Sequence, residues 1–120
     1  MSAFTLARKS CAACHGGTRP LAKNEARRLS RALTGWYLSS DGTSIITDLL
    51  LKDFMSAVRL IRRIAAVAEK EDHHPDLHLT GYRNLNIELS THSIGGLSEN
   101  DFILAAKIDK LPKELKLKTS

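Results

Sequence analysis

Apolar positions along the chain switch between helical and alternating spacing. Leu21, Ala22, Leu29, Ala32 and Leu33 recur at helical spacing with basic residues between them, which predicts a helix over 21–33, closed by Thr34-Gly35. Residues 36–38 and 44–51 read as two short strands, because Ser39-Ser40-Asp41-Gly42-Thr43 between them is hairpin-turn chemistry. Phe54, Ala57, Val58, Ile61, Ile64, Ala65 and Ala68 then form one face of a long helix, with Ser56, Arg59, Arg62, Arg63 and Lys70 opposite. Pro75 disfavours helical geometry at His74, so this helix is expected to stop by His73. Leu77 and Leu79 alternate with Asp76, His78 and Thr80, and Leu85, Ile87 and Leu89 alternate with Asn86, Glu88 and Ser90, which gives two more strands. The same parity turns His92 away from the apolar face. Ser98-Glu99-Asn100-Asp101 has the form of a capping box, with Leu97 placed to staple onto Phe102, and a last helix over 99–108 stops before Pro112.

The predicted order α-β-β-α-β-β-α implies an α+β fold: a four-stranded antiparallel sheet with helices packed on one face. The other face stays open and polar, and His92 is expected on it. The first twenty residues carry no periodic signal and read as an irregular, flexible segment.

Composition narrows the class. At 120 residues the chain is one domain's worth, and 42% hydrophobic residues allow a real core. Aromatics are only 5%, so that core must be aliphatic. No apolar run approaches the roughly 20 residues that span a bilayer, and residues 1–9 lack the apolar stretch of a secretory signal. A soluble, cytoplasmic protein is expected. The net charge of +5 is uneven: residues 1–35 carry +6, residues 36–106 carry −4 and residues 107–120 carry +3. The acidic middle disfavours a polyphosphate substrate there. The basic ends could touch nucleic acid, but solvated ends are the favoured reading.

The candidate chemistry lies in that middle. Four of five histidines fall between His73 and His92, with carboxylates on both sides. Histidine moves protons near neutral pH, so His73, His74 and His92 are candidates for an acid/base site assembled from two parts of the fold. His73 and His74 sit at a helix C-terminus, where the dipole favours a cation. Glu69, one turn before His73, is placed to orient that ring. Asp101 either complements its helix dipole or turns toward the histidines. Three histidines with carboxylates could hold zinc, but the spacing matches no zinc signature; His78 reads as an ordinary strand residue. Cys11-Ala-Ala-Cys14-His15 fits the pattern of c-type haem attachment, which needs export. A redox or zinc role for the cysteines stays open beside the favoured incidental one.

An acidic residue, three residues, His-His, an aromatic, nine residues, His and a later Asp are here Glu69, His73-His74, Tyr82, His92 and Asp101. With Gly95-Gly96-Leu97 and Ala105-Ala106-Lys107-Ile108, this pattern resembles the pterin-4a-carbinolamine dehydratase family, in its plant and bacterial branch. The resemblance covers residues 20–111, leaving 1–19 as a flexible segment and 112–120 as a basic tail. It implies a dehydratase that converts a 4a-hydroxytetrahydropterin to a quinonoid dihydropterin, with no metal or organic cofactor, in a homodimer or homotetramer. By that resemblance His73 and His92 transfer protons, and His74 mainly holds the pterin. Glu69 and Asp101 support them, while Asp76, Thr91 and Tyr82 join His74 in binding substrate. Leu77 stands where animal members carry Trp, and Asn100 where they carry Arg. The alternative is a low-activity pterin-binding or protein-interaction (coactivator) module of the same fold.

Overall fold

A computed structural model of the chain describes residues 2–12 and 19–116. Its elements are helix α1 (Ala3–Arg8), α2 (Lys23–Arg31), strands β1 (Tyr37–Leu38) and β2 (Ile45–Leu50), α3 (Phe54–Glu71), β3 (Asp76–Thr80), β4 (Asn84–Leu89), a 3₁₀ turn (His92–Ile94) and α4 (Glu99–Asp109). The four strands form one antiparallel sheet in the order β1-β2-β4-β3. Ile45, Leu85, Ile87 and Leu89 on one face are buried beneath the helices, and Leu77 and Leu79 pack against the same core. Tyr37, Asp48, Asp76, His78 and Thr80 lie on the other face and are exposed. The predicted α+β class, with helices on one face of the sheet, is therefore observed.

Three elements differ from the sequence reading. The face that α3 buries is Ala57, Leu60, Ile64 and Ala68, whereas Phe54 and Ala65 are exposed. The buried stripe is rotated because Leu60, not Phe54, enters the core. Residues 2–12 are not irregular: α1 docks on α4, and Leu6 is fully buried. A buried leucine contributes about 1.5–3 kcal/mol, enough to fix a short helix that would not form alone. The C-terminal residues are also tied down in part. Leu115 bridges to Leu51, and Lys52 N–H donates to the Glu114 carbonyl at 2.8 Å.

Helix α4 explains why α1 is needed. Asn100 through Ala106 and Ile108 are all buried, so this helix has almost no solvent face. A helix apolar on every side must be covered on every side. Helices α1 and α3 both pack against α4, in one core with the apolar residues of the sheet. Among the described residues, no helix is long and apolar enough to cross a membrane.

Candidate active site

The end of α3 sets the position of both neighbouring histidines. The helix closes in a Schellman arrangement: Asp72 N–H donates to the Glu69 carbonyl at 3.3 Å, and His73 N–H donates to the Ala68 carbonyl at 3.2 Å. Asp72 adopts the left-handed conformation (φ 51°, ψ 43°), which turns the chain off the helix axis. Helical spacing therefore no longer governs the next two residues. His73 swings toward α4, and His74 returns toward Glu69. The expected pairing of Glu69 with His73 is replaced by a contact of 3.2 Å between Glu69 Oε2 and His74 Nε2. Both side chains of that pair are more than half exposed.

His73 instead meets Asp101. Its Nε2 lies 2.6 Å from Asp101 Oδ1, and the carboxylate is completely buried. Asp101 Oδ2 accepts the Ser98 backbone N–H at 2.9 Å, as in a capping box, and the Thr91 hydroxyl at 2.8 Å. Thr91 Oγ1 is also 2.7 Å from Ser98 Oγ. Both readings of Asp101 thus hold together: it caps α4 and it holds the histidine. Where Asp101 Oδ1 accepts, the matching His73 tautomer is the one protonated at Nε2, whose Nδ1 keeps its lone pair.

The same carboxylate fixes the segment carrying His92. Beyond β4, Thr91 and Gly96 pair across a six-residue loop, with Thr91 N–H donating to the Gly96 carbonyl at 2.8 Å. Gly95 takes a left-handed φ of 67°, and a Cβ on Gly96 would stand 2.9 Å from Pro20 Cβ, so both positions require glycine. His92 opens the 3₁₀ turn in this loop. The strand parity used to place it on the open sheet face does not apply, because the strand ends at Leu89.

These segments enclose a cleft of about 310 Å³ lined by His73, His74 and His92, with Asp72, Thr91 and Asn100 among the other walls. The three candidate histidines come together there. Thr91 joins them, although its buried hydroxyl is engaged with Asp101 and Ser98. Asp76 lies exposed on the open face of the sheet and does not line the cleft. Tyr82 sits in the turn after β3, at the other end of that strand, against Arg83. Leu77 pairs with Ile87 and packs against the core, away from the cleft lining.

Sequence reasoning missed Asn100 and Ala12 as cleft residues. The signal for Asn100 was its place beside Asp101 at the start of a helix. Cys11 is half-buried, and its thiol is pushed up to about 12, first by burial and then by the negative charges of Glu71 and Asp101. Cys14 and His15, which completed the haem-like pattern, lie outside the described residues. Among the described residues, no three His, Cys, Asp or Glu side chains are grouped to hold a metal ion.

The model of the family described as pterin 4 alpha carbinolamine dehydratase matches residues 19–111. The chain belongs to that family. It is 42% identical over 112 residues to an Arabidopsis thaliana protein named pterin-4-alpha-carbinolamine dehydratase 2, mitochondrial. That match covers 91% of this chain but 60% of the Arabidopsis protein, so the chain spans less than two thirds of that relative's length. A relative from Halorhodospira halophila is 40% identical, covering 90% of this chain and 98% of its own. A crystal structure of a transcriptional coactivator/pterin dehydratase from Brucella melitensis superimposes with a TM-score of 0.71 at 33% identity. It covers 76% of this chain and 96% of its own. The carbinolamine dehydratase fold therefore carries the histidine cleft described above.

Proposed function

We propose that the protein dehydrates a 4a-hydroxytetrahydropterin to a quinonoid dihydropterin. The reaction breaks the C4a–hydroxyl and N5–hydrogen bonds, forms the C4a–N5 double bond and releases water. It needs a base for the N5 proton and an acid for the departing hydroxyl, and imidazoles can be both. The observation that carries the reading is Asp101, whose two oxygens tie His73 and the His92-bearing loop to one carboxylate. His73, with Nε2 held by Asp101, offers Nδ1 as a proton acceptor, and His92 is the complementary proton donor. His74, exposed and only loosely paired with Glu69, mainly holds the pterin. Dehydration by these residues calls on no metal or organic cofactor.

Stopped-flow measurement of carbinolamine dehydration, beside the spontaneous background, tests the activity. Acceleration that survives a strong chelator is expected. A rate equal to background would refute the assignment, and activity lost to the chelator and restored by zinc would refute the metal-free mechanism. We also propose a homodimer or homotetramer, supported by exposed Tyr37, Leu50, Phe54 and Met55, and a cytoplasmic location. Light scattering and cell fractionation check these. The alternative, a pterin-binding or coactivator module with little turnover, is favoured by the coactivator name that the Brucella protein carries. Leu77 does not strengthen it, because that residue faces the core.

A further inference from the structure

Residues 2–12 precede the region matched by the family model, which begins at residue 19. They nevertheless reach the cleft. Ala12 is one of its lining residues, together with the histidines contributed by the matched domain. Contacts at five of its residues hold this strap. Leu6 is buried in the core. Lys107 Nζ donates to the Ala7 carbonyl at 2.9 Å, and Lys9 pairs with Glu99. Glu71, nearly buried, accepts the Cys11 backbone N–H at 2.8 Å. The Asn100 side-chain amide bonds both sides of Ala12: its Oδ1 accepts Ala12 N–H at 2.9 Å, and its Nδ2 donates to the Ala12 carbonyl.

Surface anchoring alone does not require such contacts. Glu71 ends α3, one residue before the turn that delivers His73, and Asn100 is adjacent to the carboxylate that holds His73. The strap is therefore fastened to the same two helix ends that build the acid/base pair. Glu71 accepts the Cys11 N–H at Oε1 while its Oε2 stands 3.9 Å from Lys107 Nζ, a directional tie whose loss leaves the N–H without its acceptor.

We propose that the N-terminal strap is a working wall of the substrate cleft, and that Glu71 and Asn100 are positioning residues that hold it against bound pterin. The proposal rests on the assigned reaction, and adds that this chain closes its cleft with a segment outside the domain that defines the family. With the wall in place, a pterin meets Ala12 as well as the histidines. With the strap released, the histidines and Asp101 remain and only substrate retention suffers.

The test uses the full chain with Cys14→Ser, so that Cys11 alone reports on the strap. Burial and neighbouring carboxylates suppress its thiolate, so alkylation by iodoacetamide at pH 8 is slow while the strap is docked. Glu71→Ala is expected to accelerate that alkylation about tenfold or more and raise KM about five- to tenfold, with kcat within about twofold, the scale of one lost charge-assisted hydrogen bond. Glu71→Gln keeps an acceptor for Cys11 N–H but removes the same charge, so it is expected to restore KM, and the excess of the Glu71→Ala alkylation rate over the Glu71→Gln rate reports release of the strap. A stable dihydropterin should slow Cys11 alkylation in the parent protein. Faster alkylation with unchanged KM would overturn the wall, and alkylation no faster in Glu71→Ala than in Glu71→Gln would overturn the role of Glu71. If Glu71→Ala does not fold, Leu6→Ala, which loosens the strap without touching the cleft or the charges around Cys11, is read by the same two measurements, with the same results expected and the same results overturning the proposal. Dehydration by the parent is measured first, so failure of the assigned activity is separate from failure of the strap.

Discussion

Two adjacent histidines each face a carboxylate, and the two pairs are physically opposite. His73 and Asp101 are 11% and 0% exposed at their side chains, with a contact of 2.6 Å. His74 and Glu69 are 57% and 78% exposed, with a contact of 3.2 Å. In the first pair the carboxylate is shared among an imidazole, a hydroxyl and a backbone N–H, so its geometry is over-determined. Removing it would take the acceptor from the Ser98 N–H and the Thr91 hydroxyl and free the His73 ring, and a buried donor left without its acceptor typically costs about 1–3 kcal/mol. In the second pair water competes for both groups, and such contacts are worth about 0–1 kcal/mol. An imidazole beside a carboxylate is therefore a fixed pair in one place, to which we assign proton transfer, and an adaptable surface contact a residue away. The difference comes from the left-handed turn at Asp72, which sends neighbouring side chains to different environments.

The contrast can be broken in order of expected effect. His73→Ala should lower the maximal dehydration rate about 10²–10⁴-fold, the span of one positioned acid or base, while circular dichroism remains unchanged. A rate at the parent level would remove His73 from the chemistry. His74→Ala should raise KM about tenfold and lower kcat less than that, and a pure kcat defect would reverse its role. Glu69→Gln should change thermal stability by less than about 1 kcal/mol, because it alters only an exposed pair. A larger loss by calorimetry would mean that the pair does more than decorate the helix end.

Much of the site was legible because its chemistry is written in residue type and spacing. His73, His74 and His92 could be picked out from the cluster and from the family pattern, and the capping-box form at Ser98 marked Asp101. The wiring among them was not legible. Glu69 was assigned to His73 because i, i+4 spacing was carried past the point where the helix ends, and a non-glycine left-handed residue at Asp72 gives little warning in sequence. Strand parity was likewise carried past Leu89 to His92, where the loop closed by Thr91 and Gly96 had already begun. The face of α3 was misjudged because Phe54 is more apolar than its position requires, while Leu60 was left out of the stripe. Helix α1 was missed because six residues show no period. The clue lay a hundred residues away, in an α4 apolar on every side with nothing in the predicted fold to cover its outer surface.

On the proposed mechanism the buried carboxylate, not the exposed one, governs catalysis. The direct test compares two isosteric changes, Asp101→Asn and Glu69→Gln, by stopped-flow dehydration of the same carbinolamine. Asp101→Asn should reduce kcat by about 10²-fold or more, because an amide neither holds the His73 tautomer nor accepts three donors, whereas Glu69→Gln should stay within about twofold. Equal losses from the two changes, or a larger one from Glu69→Gln, would contradict the account.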